Sequence, residues 1–274
     1  MLDVVANRQI TFIRTSRLND PFDPYLFFET DFDDNFARLN QYVERHHPQD
    51  AICFKNEVTQ PRWNTISEAM KDHFETVRRT AFVLSTSAAT PEQHPKDNLY
   101  MWGHYGRGHH GVAIEFDTKA LAKAVLVHDI ALNGTQFEGG DLWVRMEYAR
   151  GFSPITGEDV YDFIKKKENQ AKTSVAQQEA TRIETYISRM STVKSDAWRS
   201  ENEWRLMREN SETTDDIYKC PILADCIATI YLGLSLPQEA QDRIVSAAKA
   251  GFPAATIMKA LKRHGDLALD FRQI

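Results

Sequence analysis

The sequence predicts an α+β fold: a mixed, mainly antiparallel sheet core carrying an inserted helical hairpin. Three observations point there. Short runs rich in β-branched and aromatic residues, such as Ile10 to Arg14, Ala81 to Leu84, Gly111 to Phe116 and Ile227 to Leu232, read as strands. They are interrupted by amphipathic helical stripes, but without the regular strand–helix alternation of a parallel α/β sheet. Two consecutive helical stretches, Gly157 to Lys167 and Ser174 to Met190, then interrupt the strands, which resume afterwards. The expected organisation is one domain over 1–274 with a helical insertion at about 156–192.

Taken in order, ITFIR (Ile10 to Arg14) is the first strand, and SRLNDPFDP follows as a corner. Asn19 and Asp20 precede Pro21 and Asp23 precedes Pro24, and a residue before proline is pushed out of the helical region. Phe22 is the expected anchor of that corner, with Asp20 or Asp23 placed to orient a site residue. Asp31 to Arg45 carries Phe32, Phe36, Leu39 and Val43 at helical spacing, and Ile66, Met70, Phe74 and Val77 mark a second helix from Thr65. Ala81 to Leu84 leads into Ser85-Thr86-Ser87. Thr118 to Val125 reads as a short helix, 134–140 as loop and Leu142 to Tyr148 as a strand. Glu201 to Met207 as a strand would set Glu201, Glu203 and Arg205 on one face and Asn202, Trp204 and Leu206 on the other. After Ile227 to Leu232, Pro237 opens a helix through Ala248. Ala255 to Leu261 and Leu267 to Ile274 form a closing strand pair around His264-Gly265-Asp266.

Composition narrows the classes. The 274 residues are 42% hydrophobic and 26% charged with a net charge of −6, which suits a soluble globular protein and argues against a broad nucleic-acid-binding face. The N-terminus lacks a basic head followed by an apolar core, and Ile222 to Leu236 is too short to span a bilayer, so a cytoplasmic protein without a membrane partner is expected. Cys53, Cys220 and Cys226 have no CxxC spacing and read as reduced, buried thiols.

The candidate site centres on Leu84 to Asp117. Tyr100, Trp102, His104, Tyr105 and His109 crowd a segment with glycines at 103, 106, 108 and 111. Glycine permits close backbone approach, and histidine is the side chain most easily tuned near neutral pH. WRSENEWRLM (Trp198 to Met207) adds two glutamates and an arginine beside tryptophans, as a strand lining a polar cleft would. His104 and His109 are five apart on a glycine-broken segment, not at the spacing of a helical zinc site, so no metal is assigned.

Three of these stretches resemble, in order, the signature segments of the bacterial domain-of-unknown-function family numbered 2971. They are Asn19 to Asp23; then Met101, Trp102, His104, Tyr105, His109, Gly111, Phe116 and Asp117; then Trp198, Glu201, Glu203, Trp204 and Arg205. Members usually carry a further short strand and helix before the first motif, where this chain has Met1 to Gln9. The order Arg14, Ser85-Thr86-Ser87, Glu201-x-Glu203 is also similar to ADP-ribosyltransferases of the arginine–serine–glutamate type. That likeness implies an ADP-ribosyltransferase-like sheet core and NAD as substrate. It implies Glu203 as the catalytic carboxylate, Glu201 positioning the acceptor, His104 and Tyr105 lining a nicotinamide pocket, and Arg14 or Arg205 on the pyrophosphate. It suggests a toxin or antiphage effector acting on nucleic acid or protein. Two other classes stay open on the residues alone. One is an acid–base or metal-dependent nucleotide hydrolase using His104, His109 and Glu201 or Glu203; the other is a ligand-sensing module without turnover.

Overall fold

In the computed structural model, described over residues 2–20, 23, 32–52, 60–133, 143–151, 161, 192–209 and 213–274, two sheets pack around one apolar core. The strands are β1 Gln9–Arg14, β2 Ala81–Ser87, β3 Val112–Phe116, β4 Trp143–Arg145, β5 Glu147–Ala149, β6 Val193–Ser195, β7 Glu203–Glu209, β8 Ile217–Pro221, β9 Ile227–Leu232, β10 Thr256–Lys262 and β11 Leu269–Gln273. The first sheet runs β4-β7-β2-β1-β8 and the second β11-β10-β9-β3, with β5 and β6 forming a short parallel pair. All other neighbours are antiparallel except β9 and β10. This is a mixed, mainly antiparallel α+β arrangement, as the strand and helix patterns predict.

Alternation along the strands builds the core. Ile10 and Phe12 on β1, Phe82 on β2, Leu206 on β7 and Cys220 on β8 face the same interior as Val112, Ile230, Leu232 and Ile257 of the second sheet. The helices are α1 Leu2–Asn7, α2 Phe32–His46, α3 Gln60–Thr80, α4 Leu99–His104, α5 Thr118–Asn133 and α6 Gln238–Gly251. Leu121, Ala124 and Val125 of α5 and Ile244 and Ala248 of α6 close this core, and Val5 of α1 joins it. Asp117 starts α5, its Oδ1 accepting the N–H groups of Lys119 (3.0 Å) and Ala120 (2.8 Å). Cys220 and Cys226 are buried. Among the described residues no helix is long and apolar enough to cross a membrane.

Several elements differ from the sequence expectation. β2 runs on through Ser87 because Ser85, Thr86 and Ser87 pair with Arg205, Trp204 and Glu203 of β7. β7 begins at Glu203, not Glu201: Asn202 sits in the left-handed region (φ 41°) and breaks the strand, leaving Glu201 at the end of the 3-10 helix Asp196–Glu201. α5 extends to Asn133 and α3 starts at Gln60. α1, β6 and β8 have no clear periodicity of their own; β6 and β8 exist because their neighbours pair with them. The expected loop at 134–140, Cys53, and nearly all of the expected helical insertion at 156–192 lie outside the described residues.

Candidate functional site

The site lies on the face of the first sheet turned away from the shared core. Residues opposite one another on antiparallel strands share a face, so the register groups Ile13, Val83, Ser85, Ser87, Glu203, Arg205 and Met207 together. Val83 and Met207 form a small apolar cluster with Leu18 and Val144 at one end of this face. At the other end sits a buried network of charges.

Arg205 is its pivot, 1% exposed. Its two terminal nitrogens grip both oxygens of Asp23, with Nη1 2.7 Å from Oδ1, and its Nε donates to Oε1 of Glu203 at 2.7 Å. Lys194 of β6, also buried, donates to Oε2 of Glu203 at 2.9 Å and to Oε2 of Glu201 at 2.7 Å. The Tyr105 hydroxyl donates to Oε1 of Glu201 at 2.5 Å, and the Asn19 side chain bonds the same hydroxyl. Ser85 hydrogen-bonds Glu203, and Ser87 Oγ donates to the Glu201 carbonyl at 2.5 Å. The Glu203 N–H is taken by the Tyr148 hydroxyl at 2.7 Å. Glu203 and Glu201 are only 3% and 4% exposed. Three carboxylates thus face two cations in a region largely removed from water, and each carboxylate has a charged partner.

The electrostatics follow from that arrangement. Burial works against the Glu203 charge, but Arg205, then Lys194, and the Ser85 hydroxyl hold its pKa below the usual carboxylate range. Burial likewise opposes the Lys194 ammonium, yet Glu203 and Glu201 keep its pKa above the ordinary lysine value. Arg205 is raised in the same way, Asp23 outweighing the burial cost. Burial, reinforced by Glu201, pushes the Tyr105 phenol well up, and burial also raises Tyr148. Glu203 is therefore an ionised carboxylate at neutral pH, and Tyr105 a proton donor in its hydrogen bond.

Around the network stand aromatic rings. Tyr100 and Tyr105 are 43% and 41% exposed, and His104 lies between them, parallel to Tyr100 at 5.6 Å and edge-on to Tyr105 at 4.7 Å. Trp198 is 5.8 Å from His104 and presents its face to the Lys194 ammonium at 5.1 Å. Asn98 caps α4, accepting from the Tyr100 and Met101 N–H groups, and its Nδ2 donates to the Ser200 carbonyl at 2.8 Å, tying the aromatic helix to the Glu201 turn.

Most of the sequence-selected residues meet here: Asn19, Asp23, Ser85, Ser87, Tyr100, His104, Tyr105, Glu201, Glu203 and Arg205. Asp20 is buried in the same corner, and Phe22 lies outside the described residues. Arg14 does not join them. It pairs with Phe82 on the opposite face, stacks on that ring at 4.6 Å, and donates to the carbonyls of Thr213 and Asp215. Trp102 is a core residue, its Nε1 bonded to the Lys96 carbonyl at 2.7 Å, and His109 stacks parallel to it at 6.1 Å. The glycines serve that packing. A Cβ on Gly106 would meet the Trp102 carbonyl at 2.6 Å, and Gly233 packs directly against the 109–111 backbone. Among the described residues no three His, Cys, Asp or Glu side chains gather as a metal site. Sequence reasoning missed Lys194 and Tyr148: a lysine between Val193 and Ser195 reads as a solvated strand residue, and only the two facing glutamates reveal it.

The model of a family described as "Protein of unknown function (DUF2971)" matches residues 101–206. Over this span the chain is similar to that family. The matched span starts at the aromatic helix and ends on β7, so it holds Tyr105, Lys194, Glu201, Glu203 and Arg205; Asn19, Asp23 and the β2 serines reach the DUF2971 residues from outside it. No curated protein and no solved structure matches the chain.

Proposed function

We propose that this protein is an ADP-ribosyltransferase-like enzyme that uses NAD as substrate, with Glu203 as the working carboxylate. The observation that carries the reading is the pairing of β2 with β7, which brings the Ser85 side chain into hydrogen bonding with Glu203 and Ser87 Oγ onto the Glu201 carbonyl, at the edge of an exposed aromatic cluster. Rupture of the nicotinamide–ribose bond sends the bonding electrons to the departing ring and leaves an oxocarbenium-like ribose. A fixed, ionised carboxylate stabilises that charge without reorganising. Glu203 is held ionised and oriented, which suits this role and not that of a general acid. On this reading Glu201, bonded to the Tyr105 hydroxyl, positions the acceptor. The faces of Tyr100, His104 and Tyr105 suit a planar ring. The pyrophosphate contact is different from the one the resemblance implies: Arg14 is on the wrong face of the sheet, and Arg205 is occupied by Asp23 and Glu203. A toxin or antiphage role acting on nucleic acid or protein is part of the same proposal.

A second reading, a nucleotide-sensing module without turnover, draws on one specific observation: both glutamates are almost fully buried and already paired. One experiment separates the two. Labelled NAD is incubated with the protein and mixed nucleic-acid or protein acceptors. Glu203→Gln should reduce NAD consumption roughly 100-fold or more, measured at a temperature where circular dichroism shows the variant folded. Saturable NAD binding with no loss of label over hours would favour the sensing module instead.

A further inference from the structure

Glu201 and Glu203 bring two carboxylates together in a buried place, where like charges close to one another cannot both stay ionised without help. Arg205 helps only Glu203. One group meets both: Lys194 Nζ, 2.7 Å from Oε2 of Glu201 and 2.9 Å from Oε2 of Glu203, with the Trp198 ring 5.1 Å from the same ammonium. We propose that Lys194 is the positioning residue of this site, clamping one oxygen of each glutamate so that the two stand as an ionised pair with fixed orientation. It rests on the assignment of those glutamates as the working carboxylates.

The geometry explains why the clamp orients as well as neutralises. With both Oε2 atoms held by the ammonium, Oε1 of Glu201 is directed to Tyr105 and Oε1 of Glu203 to Arg205. Among the described residues, the charged or titratable groups around Lys194 come from several packed elements. Glu201 comes from the 3-10 turn, Glu203 and Arg205 from β7 and the Tyr148 hydroxyl from β5, with Tyr105 after α4 and Asp23 behind Arg205. Among the described residues of the network, removing the ammonium leaves Asp23, Glu201 and Glu203 against the Arg205 guanidinium. Lysine suits the position because its point charge can donate in three directions, toward two carboxylates and an aromatic face, where a planar guanidinium fork would favour one carboxylate.

The test compares thermal unfolding of wild type, Lys194→Met, Lys194→Gln and Lys194→Arg between pH 8.5 and 5. Without the ammonium, one glutamate of the pair takes up a proton well above the ordinary carboxylate value. A carboxyl whose folded pKa lies above its unfolded one regains stability as pH falls through the folded value. The deficit of the Met and Gln variants relative to wild type should therefore narrow by roughly 5 °C from pH 8.5 to pH 5, while the Arg offset stays constant. Deficits of Met and Gln that run parallel across the range would overturn the proposal. Should the neutral variants fail to fold, adding Glu203→Gln to Lys194→Met removes the repulsion, and the double variant should fold; its failure also counts against the clamp. In the NAD assay, Lys194→Met should lower kcat more than it raises KM, with partial rescue by Arg. A wild-type protein that leaves NAD intact sinks the enzymatic reading, and the pH comparison still decides on Lys194.

Discussion

Replacing Arg205 with Met tests whether the charge network is as dry as its burial implies. The guanidinium makes three hydrogen bonds to Asp23 and Glu203 with essentially no exposure. Methionine fills similar volume but leaves the Asp23 carboxylate without its bidentate partner and Glu203 with only Lys194 and the Ser85 hydroxyl among the partners described. Breaking a buried pair by removing one member costs about 3–5 kcal/mol, because the other charge stays desolvated; for a chain of this size that corresponds to about 10 °C in Tm. The pH dependence has a definite sign. In the wild type, the depressed Glu203 pKa contributes stability above the unfolded carboxylate value, lost as pH falls through the folded one. In the variant, burial at Glu203 is no longer outweighed by Arg205, so its carboxyl protonates at higher pH and the deficit shrinks on acidification. Urea unfolding followed by tryptophan fluorescence at pH 8 and pH 5.5 measures both numbers. A deficit below about 1 kcal/mol at pH 8, the scale of a solvated surface pair, would refute the reasoning, as would an equal deficit at both pH values.

Two further perturbations probe how the aromatic segment is held. Gly233→Ala drives a methyl into the His109 carbonyl and to 2.6 Å from that of Gly111, so it should cost about 1–3 kcal/mol by overpacking and shift the 107–111 amide resonances. Asn98→Ala removes the cap of α4 and its tie to Ser200, a loss of about 2 kcal/mol that hydrogen exchange should locate in the α4 amides.

Much of the sheet was legible because its strands carry their own signal. Ile227 to Leu232 is a run rich in β-branched residues and ended by Gly233, and Pro237 marks the start of α6 with its fixed φ. The three motifs were legible as candidate-site residues because aromatics and acids are concentrated there, although Trp102 and the glycines turn out to serve packing. What misled was local periodicity. Alternation places Glu201, Glu203 and Arg205 on one strand face, but Asn202 adopts a left-handed turn and delivers Glu201 by another route. The same alternation sets Arg14 on the face of Ile10 and Phe12, the core side, where the register with Phe82 holds it.

By itself the sequence determined the periodicities, hence the α+β class, the main strands and the residue types available for chemistry, because these depend on neighbours a few positions apart. Tertiary structure alone decided that Asp23 meets Arg205 across 182 residues, that Lys194 stands between two glutamates, and that Arg14 is excluded. Those outcomes depend on strand register and burial: shifting a pairing by one residue exchanges the faces of every side chain on the strand, and a charge's behaviour is set by its partners in space.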